Sequence, residues 1–237
     1  MRQWTWVIAV GLCGASFVGC AQPPTPYGRE TPVALRTERR QVWAVAPAIN
    51  LSGYDEIDPL LQADLLYQQL QQVGGLTVIP VNRTAEVYSS LRIMNVDSEE
   101  QAAVVCDLLG CDALVVATVT AFDPYNPPKF GASLQLFAKP GSYARPANVD
   151  PRELSRQAAP APAQSLPRDG QFIQAVGMFD AANGSVRDAL MVYASGRSDP
   201  VGPLGAREYL VSMDRYCGFV YHELILEVLD KVEKQGR

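Results

Sequence analysis

Histidine is nearly absent: His222 is the single one in 237 residues. Imidazole is the commonest metal ligand and the usual general base near neutral pH, and no paired CxxC motif replaces it, so no metal site and no Ser-His-Asp set can be assembled. His222 itself stands in a helical stretch as Tyr221-His222-Glu223, where its neighbour Glu223 cannot share its face, and it reads as structural. A phosphate-cradling glycine motif is missing too. So is any basic run beyond residues 36–40, and with 20 Lys+Arg against 25 Asp+Glu the net charge of −5 gives nucleic acid nothing to bind. Asp123, Asp180, Asp188, Asp199 and Asp214 supply carboxylates, but without a spacing that marks a hydrolytic pair. The sequence therefore reads as non-enzymatic, with no cofactor and no metal.

A long apolar run is also lacking. Residues 4–18 carry no charge, yet 15 residues at about 1.5 Å each fall short of a hydrocarbon core about 30 Å thick. After Met1-Arg2-Gln3 this is signal-peptide organisation, and Phe17-Val18-Gly19-Cys20 resembles the lipobox of bacterial lipoproteins, with Phe where Leu is usual. The resemblance implies a signal peptide over residues 1–19 and lipidation of Cys20. Residues 20–40, with Pro23, Pro24, Pro26 and Pro32, read as a tether reaching roughly 60 Å at most. Ala21 and Gln22 lack the Asp that retains lipoproteins in the inner membrane, so by analogy the expected location is the periplasmic face of the outer membrane. Of five cysteines, Cys106, Cys111 and Cys217 remain for the domain. All three read as buried thiols, with one bridge to Cys217 as the alternative.

Residues 41–237 alternate strand and helix signals. The apolar run 42–48 suits a strand covered on both faces. Asp58-Pro59 starts a helix carrying Leu66, Leu70 and Val73 toward Gly74-Gly75. Residues 76–80 form a second strand, and Asn82 is expected to cap a helix with Ala85, Tyr88 and Leu91. Asp97 and Glu100 give a capping-box pattern for a helix that Gly110 ends. Residues 113–119 form a central strand. The next strand alternates through Phe130, Ala132, Leu134 and Leu136. A proline-containing insertion at 140–169 follows. Segments 172–180 and 186–194 are expected to be strands of a hairpin around Asn183-Gly184. Residues 206–234 form a long final helix through Leu210, Met213, Cys217, Val220 and Leu224. The expected fold is α/β with α+β character, a single mixed β-sheet covered by helices, in the order β-α-β-α-α-β-β-(insertion)-β-β-α.

Val42-Trp43-Ala44-Val45-Ala46-Pro47 with the following loop, Leu76-Thr77-Val78-Ile79-Pro80, and above all Leu109-Gly110-Cys111-Asp112-Ala113-Leu114-Val115-Val116 resemble the α/β domains of the curli-secretion lipoprotein CsgG, the penicillin-binding-protein activator LpoB and the N-terminal domain of TolB. Gly177-Met178-Phe179-Asp180-Ala181-Ala182-Asn183-Gly184 is similar to their later hairpin. The resemblance implies a periplasmic domain that binds envelope proteins and carries no catalytic residues. The insertion lacks the alternating apolar strand of a membrane barrel, which disfavours a pore.

Recognition is expected on the loop Phe122-Asp123-Pro124-Tyr125-Asn126-Pro127-Pro128-Lys129, with Tyr125, Asn126 and Lys129 as candidate partner contacts on a proline-stiffened backbone. Packing of its aromatics on their own domain is the plainer alternative. Tyr209, Tyr216, Phe219 and Tyr221 surround the last helix, which fits either a homo-oligomer or core packing on two sides. The expected function is an adapter or scaffold in an envelope assembly. Its rivals are a subunit of an oligomeric secretion or pore complex and, third, an envelope hydrolase.

Overall fold

The computed structural model describes residues 28, 31–37, 39–139, 171–199 and 201–235. The signal segment, Cys20 and the expected insertion at 140–169 lie outside the described residues. Trp43, Ala44 and Val45 are buried on both faces of β2 (Gln41–Val45), as their unbroken apolar run requires. β2 pairs in parallel with β5 (Leu76–Ile79) and with β6 (Ala113–Asp123), and the short β3 (Ile49–Asn50) continues along β6. β7 (Lys129–Ala138) and β8 (Gln171–Asp180) extend the sheet antiparallel, giving the order β5-β2-β6-β7-β8. The expected mixed α/β sheet is therefore present.

Asp112 explains why Gly110-Cys111-Asp112-Ala113 reads so clearly. Gly110 closes α3 (Glu99–Leu109) in the left-handed region at φ 67°, where a side chain is strained. Asp112 then brackets the neighbouring strand: its Oδ2 accepts the Val42 N–H at 2.8 Å and its Oδ1 meets Arg39 Nη2 at 2.7 Å. The motif fixes sheet register.

Two cores flank the sheet. On one face α2 (Val81–Leu91) and α3 cover Ala44, Leu114 and Val116, with Cys106 and Cys111 buried there as free thiols. On the other face lie α1 (Pro59–Gln71) and α6 (Met213–Gln235), and Cys217 is buried and free. Asp58 caps α1 through the Leu60 N–H at 2.8 Å, with Pro59 at the first helical position, as expected. On α6 six consecutive residues, Tyr216 to Tyr221, are buried, because the sheet lies on one side and α1 and α4 (Gly184–Ala194) on the other. The aromatics around this helix are core on both sides.

Several expectations need correction. Residues 186–194 are not the second strand of a hairpin: they belong to α4 (Gly184–Ala194). Asn183 caps it, accepting the Ser185 N–H at 3.1 Å, and Val186, Ala189, Leu190 and Tyr193 follow the i, i+3, i+4, i+7 spacing of a helix face. Asn-Gly is a hairpin signal only when alternation follows it. The α3 cap is Ser98, one residue later than Asp97, and Gln101 returns its Oε1 to the Asp97 N–H at 2.9 Å. Pro80, not Asn82, precedes α2. The first helix ends at Gln71, and Val73–Gly74 then forms β4. The last helix is divided: a 3-10 turn and α5 (Glu208–Val211) stop at Ser212, whose backbone is extended, before α6 begins.

The start of the folded region also differs from residue 41. β1 (Val33–Ala34) pairs in parallel with β4, the Leu35 N–H donates to Gly74 O at 2.9 Å, and the Leu35 side chain enters the core. Gly75, at φ 85°, permits this approach, since a Cβ there would lie 2.6 Å from Leu35 O.

Candidate functional site

The loop between β6 and β7 stands on an aromatic column. Phe122 packs 5.2 Å from Tyr54 and 6.1 Å from Phe130, and Phe130 meets Tyr221 edge-on at 5.6 Å. The column carries the loop on the core, and Asp123 Oδ1 accepts the Tyr125 N–H at 3.1 Å to turn its tip. Tyr125 is 75% exposed and Asn126 is exposed beside it. Lys129 is drawn away from them. It lies opposite Asp180 in the β7–β8 register, and its ammonium meets that carboxylate at 2.9 Å, which raises the lysine's pKa and holds the carboxyl below the usual range. Tyr125 and Asn126 stay together at the tip, while Lys129 belongs to the strand pair.

The neighbouring strand presents a surface that periodicity alone does not expose. Along β8, Ile173, Ala175 and Phe179 point into the core beneath α6, so the even-numbered residues face the opposite side. There α3 packs on β6 and β7, whereas on β8 Val176 is 60% exposed and Met178 57% exposed. Met178 leans over the glycine opposite: a Cβ on Gly131 would come 2.9 Å from Met178 Cε. The strand edge is partly covered, because Lys231 donates to Gln174 O at 2.6 Å.

A pocket of about 650 Å³ opens at the other layer, between α1, the end of α4, α5 and the start of α6. Arg197 lies over the Tyr193 ring, with its guanidinium carbon 4.3 Å from the centroid, and donates through Nη1 to Tyr193 O at 3.0 Å. Its Nε is buried without a hydrogen-bond partner among the described residues. Arg215 lies over Tyr209 at 5.6 Å and pairs with Glu208 at 2.9 Å. The Tyr193 hydroxyl donates to Gln69 Oε1 at 3.0 Å, and burial pushes this phenol up to about 12. Behind it the His222 ring lies 4.9 Å from Tyr193, with its pKa pushed down to about 4 by burial and, next, by the Arg197 charge. The lone histidine is therefore neutral at pH 7. Gly218 lets α6 approach, since a Cβ there would sit 3.2 Å from Gln69 Nε2.

Gln69, Tyr193, Arg197 and Arg215 carry no signal in the sequence that marks a site. The Tyr193–Arg197 pair becomes visible only once residues 184–194 are read as helical, and Arg215 joins it through tertiary packing. Among the described residues no group of three His, Cys, Asp or Glu side chains could hold a metal ion, and no helix is long and apolar enough to cross a membrane.

No family model and no curated protein matches the chain. Among solved structures it is similar to the LpoB C-terminal domain from Salmonella enterica at 13% identity, covering 44% of this chain and 74% of that one, with a TM-score of 0.35. Lipoprotein GNA1162 from Neisseria meningitidis is similar at 15% identity over 64% of this chain and 91% of the other, with a TM-score of 0.39. Protein CT253 from Chlamydia trachomatis is similar at 14% identity over 81% and 98%, with a TM-score of 0.40.

Proposed function

We propose that this chain is a lipid-anchored, non-catalytic lipoprotein that serves as an adapter or scaffold in a bacterial envelope protein assembly. The anchor is Cys20, placed by its lipobox-like setting, and the domain faces the periplasm. The observation that carries the adapter reading is the exposure of Val176 and Met178 on β8 among the described residues. A strand at the end of a well-packed sheet holds Val176 and Met178 in water, where burial against another protein gains about 25 cal/mol for each Å² removed from solvent. The partner is an envelope protein that lays apolar side chains on this stripe, with Tyr125 and Asn126 at the same end of the sheet as a second, polar contact.

A photo-crosslinking residue at position 176 tests this in intact cells. A discrete crosslinked envelope protein, lost when Met178→Glu is introduced, is the expected result. Capture of a second copy of this chain instead would favour the oligomeric rival, and no capture at all would remove the adapter reading. Cys20→Ser tests the anchor separately: the protein should leave the membrane fraction and lose the acyl mass.

A further inference from the structure

We infer that the Arg197 pocket takes the phosphate of an anionic phospholipid headgroup. The inference rests on the lipid-anchor reading for the source of the ligand, and on the pocket itself for its chemistry. A guanidinium presents five N–H donors in a planar fork suited to phosphate oxygens. In Arg197 one of them goes to Tyr193 O, the ring of Tyr193 fixes the plane, and the buried Nε–H has no acceptor among the described residues. No carboxylate forms a salt bridge with it there, whereas Arg215 is already matched by Glu208. Asp214, next to Arg215 in sequence, is the carboxylate that lines the pocket, and no ion pair joins it to Arg197 among the described residues. The site is an arginine held in place with unused donors.

The mouth of the pocket suits a headgroup better than a bare ion. Gln68 and Gln72 offer exposed amides for glycerol hydroxyls, and Leu61, 42% exposed, forms an apolar ledge at the rim. A volume of about 650 Å³ lies in the range of small-molecule sites. Position supplies the last argument. Gly28 lines the pocket, and its N–H donates to Gly196 O at 2.7 Å. Gly28 is eight positions after Cys20, and eight such steps span at most about 29 Å. An acylated Cys20 therefore holds the pocket within reach of the headgroup layer.

The full chain in neutral detergent, with arginine Nε–H resonances followed by NMR, is titrated with short-chain phosphatidylglycerol, the matching phosphatidylcholine and inorganic phosphate. Phosphatidylglycerol should shift the Arg197 signal and bind at least tenfold more tightly than phosphatidylcholine. Arg197→Gln should cost at least tenfold in that affinity, and Arg83→Gln, on an exposed helix, should cost nothing. Leu61→Glu, at an exposed position, keeps the test open if Arg197→Gln unfolds the chain: it should weaken phosphatidylglycerol and leave the melting temperature unchanged. Inorganic phosphate binding as tightly as the lipid would overturn the headgroup assignment, and an unmoved Arg197 signal would overturn the pocket. Headgroup binding that persists in a Cys20→Ser chain still found in the membrane fraction would sink the anchor reading and not the pocket.

Discussion

His222 lies half-buried on α6 against Tyr193, and burial with the nearby Arg197 charge lowers its pKa to about 4 from an unfolded value near 6.5. Between those values the unfolded chain binds a proton that the folded chain refuses, so acid favours unfolding. The stability associated with neutral His222 is complete above about pH 6.5, declines as pH falls, and is fully lost below about pH 4. Melting temperatures of the native chain and of His222→Gln, measured from pH 7.5 to 4.5, should converge as pH falls, because only the native curve contains this loss. Parallel curves would show that the ring is more hydrated than its place beside Tyr193 implies. Carboxylate effects are common to both chains and cancel in the difference. The same residue shows how far a sequence goes: that His222 is structural follows from its isolation, but the groups that keep it neutral come from α4 and from the turn after it.

The cap on α4 decides whether residues 184–194 coil or extend. Asn183 accepts the Ser185 N–H, and Arg187 Nη1 returns to Ala181 O at 2.7 Å and Ala182 O at 2.8 Å, tying the helix start to the end of β8. Asn183→Ala should cost about 1 kcal/mol in urea unfolding. An unchanged midpoint would mean that the arginine alone holds the turn. Local signals made other elements legible: Asp58-Pro59 marks a start, Gly110 marks a stop, and alternation marks β7. The α4 segment reads as a strand because Asn-Gly and a run rich in Val, Met and Tyr fit one locally, while the apolar positions at 186, 189, 190 and 193 carry helical spacing. The division at Ser212 is hidden for the opposite reason: apolar spacing runs on through it, and only tertiary packing imposes the bend. Of the candidate recognition loop, Tyr125 and Asn126 could be read from the proline-rich turn, whereas the loss of Lys129 to Asp180 depends on strand register.

At the scale of the whole molecule, residues 33–35 stitch the chain to the domain before the first central strand. β1 lies on β4, Leu35 fills the core beside them, and Gly75 provides the space. Leu35→Ala should therefore destabilise the entire domain by about 2–5 kcal/mol, read as a lower urea midpoint, and should make residues 36–40 more sensitive to protease. A change confined to proteolysis would show that the segment docks without supporting the core. The sheet face on β8 and the arginine pocket sit on opposite layers, so the partner and the headgroup proposed for them would not compete for one surface. Between α1 and its partners lie two buried or half-buried amide–phenol bonds, Gln62 with Tyr221 at 2.9 Å and Gln69 with Tyr193 at 3.0 Å. Gln62 and Gln69 are seven residues apart, two turns along one helix face. Leucine and valine ridges tolerate sliding by a turn, about 5.4 Å, with little change in apolar contact, but that slip would strand both glutamines and both hydroxyls at once. The pair works as a vernier, selecting one alignment of the helical layer from several that greasy packing alone would accept.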